Sequence, residues 1–103
     1  MKKLRIPVTE QHIKKCEVVR NQIGVNSGCP VRLAIREVRK EHITVQRMKI
    51  VLRSAESTIT LHNSNALMLW IVANDRGMKT DPFVLELDLT SKTADLILED
   101  NQK

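Results

Sequence analysis

Cys29 stands between Gly28 and Pro30, and Pro30 opens a stretch with helical spacing. A thiol at a helix N-terminus meets the positive end of the dipole, which favours the thiolate. Free backbone N–H groups there can also hold an anion, and Gly28 lets a phosphate approach closely. Gly28 and Cys29 are therefore a candidate anion site, and a phosphorylated nucleotide is the ligand that would suit it. The competing reading is a small buried N-cap residue whose sulfur packs under the helix. The longer glycine pattern of a P-loop is missing, which favours packing.

The stronger chemical signal follows the proline. With about 100° per residue on a helix, Arg32, Arg36, Arg39 and Lys40 fall in one arc, and Val31, Ala34, Ile35 and Val38 in another. Lys14, Lys15 and Arg20 add cations on a preceding helix. A face of this kind suits an acidic partner or a polyanion, with binding that weakens as salt rises.

Other chemistry finds little support. His12, His42 and His62 lie on three different segments, and neither H-x-x-x-H nor C-x-x-C occurs, so no metal site is expected. Asp75, Asp81, Glu86 and Asp88 form no recognisable acid/base pair, and no G-x-S-x-G elbow is present. The expectation is a protein that is not an enzyme, with no catalytic residues and no cofactor. Trp70 and Phe83 are the two aromatic residues, too few for base stacking along a single strand.

The charge is unevenly divided. Residues 1–53 hold 13 lysines and arginines against 4 carboxylates, whereas residues 54–103 hold 4 against 8. Such a division serves a polyanion-binding face, or lets the two halves pair with each other or with a second copy. Two cysteines make no disulfide framework, and the N-terminus lacks the apolar core of a signal peptide. The longest apolar run, Ala66 to Ala73, is far short of a membrane span. A cytoplasmic protein with reduced thiols and no membrane contact is expected.

These residues need elements to position them. Leu4, Ile6 and Val8 alternate as a strand, and Pro7 confines it to a sheet edge or a strand end. Thr9 is an N-cap candidate for a helix through Ile13, Cys16, Val19 and Ile23, ending by Gly24, with loop residues from Asn21 to Gly28. A second helix runs from Pro30 to about Lys40. Period-two patterns then mark "HITVQ", "MKIVLR" and "STITLH", with either a break or a bulge near Arg47. Asn63, Ser64 or Asn65 caps a third helix to about Arg76, with Gly77 at the C′ position. That helix is apolar all round, so Leu67, Met68, Trp70 and Ile71 lie deep between layers or form a homodimer contact. "FVLELDL" and "ADLILED" form a closing hairpin, and residues 100–103 fray. The whole is a single α+β domain over 1–103, a mostly antiparallel sheet with two or three helices packed on one face.

Three segments, "IPVTEQHIKK", "CPVRLAIREV" and "NALMLWIVANDRG…TDPFVLELDL", resemble a family of small uncharacterised α+β proteins of phages and some bacteria. Its members follow a V-T-x-x-H-I … C-P-I-A-L-A-L … P-F-x-F-x-L pattern. The resemblance implies an accessory protein in the host cytoplasm whose partner is a host protein complex or nucleic acid. Inhibition of a host defence complex is the activity it suggests, and direct DNA or RNA regulation is the rival. The chain departs from the pattern where Arg32 and Arg36 enter the apolar helix, where Cys16 replaces a glycine, and where the tail runs on past Leu89.

Overall fold

The computed structural model describes residues 3–23 and 29–97, the side chains of 18–23 excepted. The elements in chain order are β1 (Lys3–Val8), α1 (Glu10–Ile23), α2 (Pro30–Arg36), β2 (His42–Val45), β3 (Lys49–Arg53), β4 (Thr58–Asn63), α3 (Asn65–Asp75), β5 (Phe83–Asp88) and β6 (Thr93–Ile97). The strands form one sheet in the order β1-β5-β6-β4-β3-β2, antiparallel except where β4 meets β6. That parallel join is short: His62 lies opposite Thr93 and Asn63 opposite Ala94. The α+β architecture read from the periodicities is the one observed.

One face of the curled sheet supplies the core. Ile6 and Val8, Phe83, Leu85 and Leu87, Ala94, Leu61, Ile50 and Leu52, and Ile43 all project from it and are buried. α2 and α3 cover this face, and α1 packs on α2. α2 touches both β1 and β2, the two edge strands, so the sheet bends round it. Val31, Ala34 and Ile35 of α2 are fully buried in the space between those edges. Pro7 sits on edge strand β1, where its missing N–H removes no central ladder bond.

Local chemistry explains the ends of the elements. Thr9 caps α1: its Oγ1 accepts from the backbone N–H of His12 at 3.3 Å, and its own N–H donates to His12 Nδ1 at 2.9 Å. This is a reciprocal capping box with histidine in the place of the usual glutamate. α1 then runs three residues into the stretch read as loop, while Gly24 to Gly28 lie outside the described residues.

Ser64 is the cap of α3, accepting from the N–H of Leu67 at 3.2 Å. Gly77, at φ +78°, closes the other end: its N–H bonds the carbonyl of Asn74, and that of Met78 bonds Ala73. These are the two bonds of a Schellman motif. Between β2 and β3 the chain makes a hairpin turn over residues 46–48, with Gln46 N–H bonded to Lys49 O, rather than a bulge in one long strand. The β5–β6 hairpin is turned by Asp88, whose Oδ1 accepts from the N–H groups of Thr90 and Ser91. Residues 100–103 lie outside the described residues.

α3 divides the apolar run by position. Leu67 and Ile71 join the core, Met68 and Trp70 are half-buried, and Leu69 is 72% exposed. Trp70 packs edge-on against Phe83, centroids 4.8 Å apart, and its Nε1 donates to the Asp81 carbonyl at 2.8 Å. Among the described residues no helix is long and apolar enough to cross a membrane.

Candidate functional site: a cationic cleft between α2 and β2

α2 is shorter than its periodicity suggests. It ends at Arg36, where Glu37 N–H bonds Ala34 O and Val38 N–H bonds Ile35 O, tightening the last turn. Val38 consequently leaves the apolar face and is 58% exposed, against the expectation of a buried position. Arg39 and Lys40 lie beyond the helix, in the segment that turns into β2.

The four cations nevertheless meet. Arg32, Arg36, Arg39 and Lys40 line one cleft of about 450 Å³ between the end of α2 and the start of β2, completed by Glu41, His42 and Ile43. Arg32 and Arg36 face it because they are four residues apart on a helix. Arg39 and Lys40 face it because the chain turns there.

The four differ in what holds them. Arg32 is half-buried, and its Nε donates to the carbonyl of Ile43 at 2.9 Å. Because β2 is an edge strand, that bond satisfies an outward carbonyl and ties α2 to the sheet edge. Arg39 forms a two-point pair with Glu41, Nε donating to Oε1 at 2.8 Å and the second guanidinium nitrogen to Oε2. The Arg39 guanidinium holds the Glu41 carboxyl below the usual carboxylate range, and Glu41 raises Arg39 in return. Arg36 and Lys40 are exposed, and among the described residues Glu41 is the one carboxylate lining the cleft. The cleft therefore holds more cations than anions.

Glu37, on the same turn, points elsewhere. His12 Nδ1 accepts from Thr9, so Nε2 carries the proton and donates to Glu37 Oε1 at 3.0 Å. The buried imidazole thus ties the start of α1 to the end of α2. A T-x-x-H spacing was the sequence signal for this role, readable as a capping box once histidine is admitted as the acceptor.

The remaining site candidates separate from the cleft. Lys14 and Lys15 are exposed on α1 and do not line it. The side chain of Arg20, and all of Gly28, lie outside the described residues. Cys29 is the N-cap of α2, half-buried and packed against the core. Burial pushes its thiol up, outweighing the N–H groups of Arg32 and Val31, which favour the thiolate. The expected lowering by the helix dipole is therefore reversed: desolvation penalises the charge more than one short helix stabilises it. No disulfide joins Cys16 and Cys29. Among the described residues no three His, Cys, Asp or Glu side chains could hold a metal ion.

The fold and the cleft together define a small α+β protein with a cationic groove at one edge of its sheet. Compared with protein-family models, curated proteins and solved structures, the chain matches none.

Proposed function

We propose that the protein is a non-enzymatic binding module that docks on an acidic protein partner through the α2–β2 cleft and acts by occupying that surface. The observation that carries this reading is the gathering of Arg32, Arg36, Arg39 and Lys40 around one concavity, with Glu41 the lone carboxylate there among the described residues. Arg32 is held in place by the Ile43 carbonyl, so little of its side-chain freedom remains to be lost on binding, whereas Arg39 is occupied by Glu41. Arg36 and Lys40 supply uncommitted charge, which raises the rate of encounter with an acidic surface.

Two features favour carboxylate-bearing protein over nucleic acid. The cleft is a local concavity rather than a long band that could track a phosphate backbone. Trp70 and Phe83 are committed to each other and to Asp81, leaving no ring for stacking on a base.

Fluorescence anisotropy with labelled polyglutamate and with mixed-sequence duplex DNA tests the reading. Binding to polyglutamate that weakens with salt and is lost in Arg36→Glu/Lys40→Glu is the expected result. No binding to polyglutamate, or tighter binding to the duplex, overturns it.

A further inference from the structure

A second cleft, of about 700 Å³, lies at the tip of the β2–β3 hairpin. Met48 and Met68 give it an apolar lining, and Met48 is 68% exposed. Thioether side chains are flexible and polarisable, and adapt to apolar groups of varied shape. Arg47, Lys49 and His62 also line this cleft, and none of its lining residues among those described is acidic. Its shape is set by Asn63, whose Nδ2 donates to the carbonyls of Gln46 and Arg47, both at 3.0 Å. Asn63 Oδ1 is buried without a hydrogen-bond partner, so one acceptor in the wall is unanswered.

The two clefts lie at opposite ends of one edge strand. His42 and Ile43, which open β2, line the cationic cleft, and Gln46, just past its end, lines the methionine cleft. At about 3.3 Å per residue of extended chain, that separation is roughly 10 Å, or three residues. The Ile43 carbonyl is already taken by Arg32, so a ligand beside β2 cannot complete a full strand ladder and must be held at its ends.

Building on the cleft reading above, we propose that the partner is recognised through an extended acidic segment with a bulky apolar side chain about three residues from its carboxylates. The carboxylates enter between Arg36 and Lys40. The apolar side chain lies between Met48 and Met68, with Arg47, Lys49 and His62 meeting further acidic groups beside it. Charge complementarity selects the segment and the methionine cleft sets its register.

The test uses synthetic peptides carrying two glutamates and, three residues on, a phenylalanine, made in both sequence orders, each with a control in which serine replaces the phenylalanine. The expected result is that one order binds at least tenfold more tightly than its serine control, and that the gain disappears in Met48→Asp and in Met68→Ser. Met48 is exposed, so Met48→Asp keeps the fold, checked by its melting temperature. Equal affinity of phenylalanine and serine peptides in both orders overturns the inference and leaves the cationic cleft standing. So does a phenylalanine gain that survives Met48→Asp. Absence of binding by every peptide overturns both.

Discussion

The basic half of the chain meets two different fates at the two edges of the sheet. On edge strand β1, Lys3 lies opposite Asp88 and Arg5 opposite Glu86, and Arg5 Nε reaches Glu86 Oε2 at 3.1 Å. The Asp88 carboxyl is held low first by the Ser91 backbone N–H and further by Lys3. There the basic and acidic halves answer each other across a strand pair. Beside edge strand β2, four cations meet one carboxylate. The charge asymmetry of the sequence is thus part internal neutralisation and part surplus, and only the tertiary fold separates the two. The proposed docking role rests on the surplus.

The largest effect is expected from loosening the packing that brings the β2 edge to α2. Ile35 is fully buried, on the helix that touches both edges. Ile35→Ala should cost about 2–5 kcal/mol, as large-to-small changes in packed cores do. Urea unfolding measures it, and a loss below about 1 kcal/mol would mean that α2 is not the element holding the edges together. Next in size is charge reversal. Arg36→Glu/Lys40→Glu should weaken polyglutamate binding roughly hundredfold at low salt, since like charges facing across an interface cost several kcal/mol. Arg5→Glu, an equal reversal at the paired edge, should change binding by less than about twofold. If Arg5→Glu weakens binding as much as the cleft variant, net charge rather than the cleft is responsible.

How much of this was legible depends on whether the determining contact is local. Thr9, Ser64 and Gly77 act on neighbours within a few residues; the roles of Thr9 and Gly77 could be read from spacing, and Ser64 was one of three adjacent cap candidates. The edge position of β1 was one of the two placements that Pro7 allowed. The cation cluster was legible for a partly mistaken reason: a helical wheel extended to Lys40, whereas a turn after Arg36 brings Arg39 and Lys40 to the same place. The bond from Arg32 to Ile43 was not legible, because it depends on β2 being an edge strand. For Cys29 the packed N-cap reading, favoured over the activated thiol, is the one that agrees with its place against the core, because burial outweighs the local dipole.

Cys29 gives a prediction of intermediate size. With its pKa raised, the thiol is neutral at pH 7 and the native chain should react with iodoacetamide at least tenfold more slowly than the urea-unfolded chain. The linkage has a definite sign. Because the folded state disfavours the thiolate, stability is unaffected below the unfolded thiol's range and declines as pH rises through it. Fast native alkylation would instead restore the activated thiol first suggested by Gly28-Cys29-Pro30.

Among the described residues each edge carries one ion pair, and the two differ in exposure. Arg5 and Glu86 have side-chain exposures of 70% and 17%, Arg39 and Glu41 of 26% and 17%. The first is a single contact with an open cation, the second a two-point contact with both partners partly shielded. Glu86→Gln should therefore cost no more than about 0.5 kcal/mol, and Glu41→Gln about 1 kcal/mol. The Glu41 carboxyl is depressed in the folded state, so its contribution is complete above the ordinary carboxylate range and lost as pH falls through the lowered folded value. Melting temperature against pH should thus fall less steeply on the acid side in Glu41→Gln than in the parent chain. The same substitution removes the cleft's carboxylate and releases Arg39 to a ligand, so polyglutamate should bind several-fold more tightly. Stability and affinity then move in opposite directions at this one residue, whereas Glu86→Gln should leave affinity where it was. If both variants bind as the parent does, Glu41 does not restrain the cationic cleft.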